Sequence, residues 1–361
     1  MVVKRLNDDD DGKTKQATLK RVTIKDIARE TGVSMATVSY ILNGKKSISD
    51  ETKAKVSAAI ARLDYVPDSA ARSLSTRDSL LIGIVIPQTE PGSRLMFENP
   101  FYSELLSAIE YETRLHGYHL FISGTGVDES YLYLARKRNL DGIIAIGVYP
   151  DEFYQEVKKR KIPLVLIDSY CGDNHCHNIR IDDSYGSYLA ASYLLNRGHR
   201  DIAFFSGQLS NNGVMHKRLE GFEQAMKEWG LPVRKVSVFE GNIDLENGCI
   251  LVRRLLDAKL PVTAILAAAD ILAIGAMKGL REVGLRIPDD ISVIGFDDLQ
   301  IIRYLSPGLT TIRQEIALKG KKAVDILVQN IKTPDLTKRE EVLPLSVVER
   351  DSVKTLSKEA P

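Results

Sequence analysis

Apolar positions along the chain follow two different rhythms. From Val22 to Asn43 they recur three and four residues apart in two short blocks, Ile24, Ile27 and Ala28 in the first and Val38, Ile41 and Leu42 in the second. That spacing predicts two helices, each with one apolar face. Thr23 and Asp26 stand in the S/T-x-x-D/E relation of a helix start, and the Thr23 side chain is expected to accept from the backbone amide near Asp26. Gly32 ends the first helix because glycine takes the left-handed conformation of a sharp turn, Val33 plugs the corner, and Ser34 caps the second helix. Met35, Ala36, Thr37, Ser39, Tyr40 and Asn43 are thereby left facing outward. A third helix is predicted from the Ser49 cap to about Asp64, with Asp50 and Glu51 complementing its dipole and Val56, Ala59, Ile60 and Leu63 closing a small core. An ordinary helical hairpin shares the spacing of the first two helices. The tight turn and the third helix are also the frame of a helix-turn-helix, whose outward residues read base edges and phosphates.

From Leu80 the pattern changes to short apolar runs that alternate with amphipathic stretches. Runs ending at Ile86, Ser123, Gly147, Asp168, Ser206, Ala268 and Gly295 read as buried strands. Helices are predicted between them, among them Tyr102 to His116, Tyr185 to Arg197, Arg218 to Trp229, Gly248 to Ala258 and Ile271 to Val283. Alternation of this length implies parallel sheets covered on both faces. A stretch of roughly 260 residues exceeds what one such sheet needs, so two similar lobes are expected. Ligands in such folds sit at the carboxyl ends of the strands, here the cleft between the lobes.

Composition sharpens this division. At 361 residues, 44% hydrophobic and 27% charged, the chain has material for more than one core. Its net charge is only +1, yet Lys20 to Ser79 holds eleven Lys or Arg against seven Asp or Glu, a local +4. Such an excess attracts phosphates without reading sequence and makes binding salt-sensitive. Three cysteines without framework spacing argue against a secreted disulfide protein. No apolar run approaches the ~20 residues of a membrane span, and the N-terminus lacks an apolar signal core, so a cytoplasmic protein is expected. Residues 1–19, with the acidic run Asp8 to Asp11, read as a disordered leader. The segment Cys171 to His177, CGDNHCH, offers thiols and imidazoles, but its spacing fits no common zinc pattern, and it reads as a surface loop with no metal. G-x-S-x-G, Walker and H-E-x-x-H signatures are missing, so neither an enzyme nor a cofactor is expected.

Several motifs carry a resemblance to the LacI/GalR family of transcription regulators. They are TIKDIA at Thr23 to Ala28, GVS at Gly32 to Ser34, ATVS at Ala36 to Ser39, Asn43, Tyr65-x-Pro67 and ARSL at Ala71 to Leu74. Farther on come NPFY at Asn99 to Tyr102, Gly198-His199, RLEGF at Arg218 to Phe222, IPDDISVIGFDD at Ile287 to Asp298, and LTTI at Leu309 to Ile312. The resemblance implies a multidomain chain, an all-α helix-turn-helix headpiece joined to an α/β periplasmic-binding-protein-like (type I) effector domain of two doubly wound lobes. By that likeness residues 20–66 form the headpiece, 67–79 a hinge helix and linker, and 80–361 the ligand-binding and dimerisation domain. Thr23, Lys25, Ser34, Met35, Ala36, Thr37, Ser39, Tyr40, Asn43, Lys45, Tyr65, Ala71 and Leu74 become the expected DNA contacts, with Leu74 the wedge that paired hinge helices push into the minor groove. Most relatives carry Arg or His where Tyr40 stands, so the base preference there departs from theirs.

For the effector the chemistry points to the same residues as the resemblance. Arg218 offers a forked donor and Asp297 a strand-end acceptor for hydroxyls, with Asp168, Asp270, Gln88 and Tyr102 as further expected contacts. Ala269 replaces the asparagine of many relatives, and Ile181 and Ile243 replace sugar-stacking rings. The implied partners are a near-palindromic double-stranded operator, a second copy of the chain, and a small effector, foremost a carbohydrate or sugar phosphate, with a nucleoside or purine second. A regulator controlled by a phosphorylated carrier protein shares the stretch Ser34 to Ser39, but Leu305-Ser306-Pro307 lacks the arginine such regulators carry there. A transporter's solute-binding protein fits the body but not residues 20–79.

Overall fold

A computed structural model describes residues 22–42, 48–65, 79–87, 99–125, 139–147, 149, 151–170, 176–209, 213–232, 237–334 and 337–356. The expected leader, Asn43, Lys45, the hinge residues Ala71 and Leu74, and Gln88 lie outside these. The chain divides into two compact units, Met1–Asp78 and Ser79–Pro361.

The first unit holds helices α1 (Ile24–Thr31), α2 (Met35–Leu42) and α3 (Asp50–Arg62). Ile27, Val38 and Val56, one from each helix, are 0% exposed and meet at its centre. The Asp26 carboxylate reaches back to the Thr23 backbone N–H at 3.0 Å and accepts the Thr23 hydroxyl at 2.7 Å. The Thr23 side chain and the Asp26 backbone complete the expected capping box, and the Asp26 amide also bonds to the Thr23 carbonyl at 2.9 Å. Gly32 closes α1 at φ +69°, the left-handed region where a side chain is disfavoured. Ser34 accepts the Thr37 amide at 3.0 Å, and Ser49 accepts that of Thr52 at 3.4 Å. Tyr65 packs into this core, 8% exposed.

The second unit contains two six-stranded sheets. The first runs β11-β5-β4-β3-β1-β2, all parallel, from β1 (Leu81–Pro87), β2 (His119–Thr125), β3 (Gly142–Ile146), β4 (Leu164–Ile167), β5 (His177–Ile181) and β11 (Glu340–Leu343). The second runs β12-β10-β9-β8-β6-β7, from β6 (Ile202–Ser206), β7 (Val238–Glu240), β8 (Ala264–Ala267), β9 (Ser292–Asp297), β10 (Thr310–Gln314) and β12 (Leu345–Val348), with only the edge strand β12 antiparallel. The central strands β3, β4 and β8 are apolar throughout because both faces are covered. Along β3, Ile144 and Ile146 join the main core, whereas Ile143 and Ala145 pack with Phe153 and Val157 of α5 (Asp151–Arg160) on the opposite face.

The chain crosses between the sheets after β5, after β10 and between β11 and β12. Helix α10 (Ile316–Lys332) therefore follows a strand of the second lobe but packs on β3, β4, β5 and α4 (Pro100–Leu115) of the first. Within the second lobe α6 (Asp183–Asn196) and α7 (Val214–Glu228) approach so closely that a Cβ on Gly221 would meet the Ser184 carbonyl at 1.8 Å. Gly221→Ala is expected to destabilise the protein by about 1–3 kcal/mol, read as a lower urea midpoint with unchanged slope.

Part of the pattern differs from expectation. The segment read as a surface loop at Cys171 to His177 ends inside the fold. Residues 171–175 lie outside the described part, but His177 opens β5, is 0% exposed, and accepts the Arg339 backbone N–H through Nδ1 at 3.2 Å. Burial depresses its pKa to about 4, so it packs as a neutral imidazole.

Candidate effector cleft and DNA-reading surface

The carboxyl ends of β4, β8, β9 and β10, the first turns of α4 and α6 and the second turn of α7 converge on one polar cluster between the two sheets. Arg218, in the second turn of α7, is 5% exposed. Its Nε donates to Asp183 Oδ1 at 2.8 Å and its Nη1 to the Ala268 carbonyl, while Nη1 stands 3.6 Å from Asp297 Oδ1. The guanidinium lies over the Phe296 ring, 3.6 Å from its centroid. Burial works against its charge, but Asp183 and Asp297 outweigh it and raise its pKa. The Gly221–Ser184 contact one turn away sets the helix spacing that lets Arg218 reach Asp183.

Asp297 ends β9, 3% exposed, and its Oδ1 accepts Gln314 Nε2 at 2.6 Å. Burial raises its pKa to about 6 despite Arg218. Asp168 follows β4 in the first lobe, and both its oxygens receive Lys319 Nζ of α10, at 2.7 and 2.8 Å. Burial also raises the Asp168 pKa, with Lys319 opposing. Asp168 sits at φ +54° and Asp297 at φ +128°, a region that costs a non-glycine residue about 1–3 kcal/mol. Their contacts hold both carboxylates toward the cleft against that strain. Tyr102, in the first turn of α4, is half-buried; its pKa is raised by burial and then by the charges of Asp168 and Asp297, so its phenol stays protonated.

Asp270 lies deeper than expected of an effector contact. Fully buried at the start of α9 (Asp270–Glu282), it accepts the Thr311 hydroxyl at 2.6 Å and the Leu299 amide at 2.9 Å. It ties the loop after Asp297 to β10. Lys319, Gln314 and Asp183 were not anticipated from the sequence. A signal for one of them was present: Lys319 falls on the buried stripe of α10, between Ile316 and Ala323 at helical spacing, where a lysine needs a partner.

In the headpiece, α2 carries no charged residue, and Met35 and Tyr40 are 56% and 45% exposed. Ala36 is also exposed, whereas Ser39 is half-buried. Thr37 shares its hydroxyl with that of Ser34 at 2.9 Å, so both serve the cap first. The neighbouring helices carry the cations: Lys25 and Lys55 are exposed, while Lys53 pairs with Asp50 at 2.9 Å and Arg62 pairs with Glu30.

A three-helix headpiece with an exposed second helix, joined to a two-sheet body with a polar interlobe cluster, defines a DNA-binding regulator with an effector-binding domain. The comparisons agree on both parts. Residues 23–68 match the profile of bacterial regulatory proteins of the lacI family, and residues 191–353 that of a periplasmic binding protein-like domain. The ribose operon repressor of Haemophilus influenzae is 34% identical over 339 residues, covering 92% of this chain and 99% of that protein. The Lac repressor dimer bound to operator and the anti-inducer ONPF superposes with TM-score 0.80 at 28% identity, over 93% of this chain and 100% of that one. A LacI family regulator from Enterococcus faecium with bound ribose does so with TM-score 0.68 at 29% identity, over 77% and 100%. The chain belongs to the LacI family: it is a DNA-binding transcriptional repressor with a type I periplasmic-binding-protein-like effector domain.

Proposed function

We propose that the protein is a homodimeric cytoplasmic repressor that binds a near-palindromic operator and changes its affinity for it when a small polyhydroxylated effector, a carbohydrate or sugar phosphate, enters the interlobe cleft. The observation that carries this reading is the buried chain of contacts joining the two lobes, Asp168 to Lys319, Lys319 to Gln314 and Gln314 to Asp297, with Arg218 3.6 Å from Asp297. Relatives named for ribose, or solved with it, support the ligand class. A dimer places two copies of α2 on two half-sites, which is why the operator is symmetric. Effector contacts that differ between lobe arrangements bias whether the two hinge segments pair on DNA.

The test is selection of duplexes by the full-length chain from a random pool, followed by titration of the selected duplex with a panel of sugars. A symmetric consensus whose affinity shifts with one sugar is expected. A pool that stays random under all ligand conditions contradicts the reading, and a response only to a phosphorylated protein favours the partner-controlled alternative. Leu74→Ala is expected to weaken operator binding by up to about 3 kcal/mol while leaving the thermal midpoint unchanged. Unchanged affinity rejects Leu74 as the hinge wedge.

A further inference from the structure

Lys319 is the cleft residue that the reading above leaves without a role toward the effector. It is 0% exposed, and its ammonium has three protons and three acceptors: Asp168 Oδ1 at 2.7 Å, Asp168 Oδ2 at 2.8 Å and Gln314 Oε1 at 2.6 Å. The ammonium also lies over the Phe101 ring of α4, 5.6 Å from its centroid. Lys319 therefore has no donor to spare for an anionic ligand. Gln314 carries the arrangement into the second lobe, since its amide donates to Asp297 at 2.6 Å. Among the described residues the other buried Lys or Arg, Arg218, is committed in the same way to Asp183 at 2.8 Å. With Asp168 matched to Lys319 and Asp183 to Arg218, the Asp297 carboxylate has no cation of its own and lies 3.6 Å from a guanidinium already shared.

We propose that Lys319 is a resident counter-ion that sets the charge class of the effector: the cleft takes an uncharged polyhydroxylated compound and turns away its phosphorylated and carboxylated forms. The inference rests on the effector reading of this cleft and narrows it. A ligand hydroxyl donates to the free oxygen of Asp297 and accepts from the unused N–H groups of Arg218, so it suits the groups left over. A phosphate or carboxylate finds both cations engaged and must sit, desolvated, beside Asp297. Without Lys319, Asp168 would stand as a second unmatched carboxylate, and even a neutral ligand would enter a cleft strained by its own charge.

The experiment is a thermal-shift titration of the full-length protein with neutral pentoses and hexoses, each beside its phosphate and its aldonate. At least one neutral sugar is expected to raise the midpoint, with its phosphate and aldonate at least about tenfold weaker. A charged derivative that matches or exceeds its parent overturns the proposal. If no member of the panel shifts the midpoint while the protein still selects a symmetric duplex, the carbohydrate reading fails and this inference with it. Lys319→Met is expected to weaken the neutral ligand about tenfold or more, and Asp168→Asn with Lys319→Met to recover it to within about threefold, because the pair is then removed together. Lys319→Arg keeps the preference for uncharged ligands. A double variant as weak as the single one shows that the lysine acts through packing alone and overturns the proposal. The double variant and the wild-type ratios remain decisive if Lys319→Met does not fold.

Discussion

Replacing Arg218 with methionine is expected to abolish the effector response and to destabilise the protein by about 3–5 kcal/mol, because it strands buried carboxylates that share one cation. The methionine keeps most of the apolar volume over Phe296, so the loss is electrostatic more than a matter of packing. Asp183 is 0% exposed and keeps only the Tyr170 hydroxyl, 2.7 Å from its Oδ2, as a strong side-chain donor. Asp297 keeps only Gln314. Arg218→Lys retains a charge but not the fork that serves Asp183 and the Ala268 carbonyl together, and an intermediate stability is expected of it. Urea denaturation gives the stability, and a thermal shift with the sugar that stabilises the wild-type protein gives the response. An Arg218→Met protein that still responds with wild-type affinity removes Arg218 from the effector site. One as stable as wild type would show that the carboxylates protonate or find water without cost.

The headpiece was legible in the sequence because each of its signals is local. Gly32, Ser34 and Ser49 act on backbone groups within three residues of themselves, so spacing alone places them. The buried strands of the body were legible for a related reason, since a strand covered on both faces must be apolar along most of its length, as β3, β4 and β8 are throughout and β6 is up to Ser206. Strand β5 reads His-Asn-Ile-Arg-Ile and hides among polar residues. Its His177 and Asn178 are satisfied in part by distant backbone, Arg339 and Ser169, which no local pattern reveals. Helix α5 was missed because only Phe153, Tyr154 and Val157 mark its inner side. In the cleft, strand-end acids could be listed but not ranked. Asp168, Asp270 and Asp297 all follow apolar runs, and only the fold shows that Asp270 turns inward to Thr311 and Leu299 while Asp297 faces Arg218. Lys319 was overlooked because it lies 151 residues from Asp168 in sequence, and its partner is decided by the crossover after β10.

Asp270 is expected to contribute a part of the body's stability that is lost as pH rises from about 4 to about 8. Burial, and next the charge of Asp297, push its pKa from 3.8 to about 8. In the unfolded chain this group loses its proton near 3.8, whereas in the folded protein it holds it until about 8. Folded protein therefore binds the extra proton throughout that window, and unfolding becomes easier with each step up in pH. The contribution is whole below the lower value and gone above the upper one, a change on the order of a few kcal/mol. Asp297, raised to about 6, adds in the same direction over the lower part of the window. Asp270→Asn removes the titrating proton but keeps the shape and an acceptor for the Thr311 hydroxyl. Carboxylates elsewhere whose pKa values are lowered, such as Asp290 and Asp325, titrate alike in both proteins and cancel in the difference. Urea midpoints measured from pH 4.5 to pH 9 are thus expected to converge for wild type and Asp270→Asn at the acid end and to separate toward the alkaline end, with the asparagine variant the more stable there. Parallel curves across the whole range would mean that Asp270 is ionised in the folded protein, and that the Thr311 hydroxyl and Leu299 amide suffice to hold its charge.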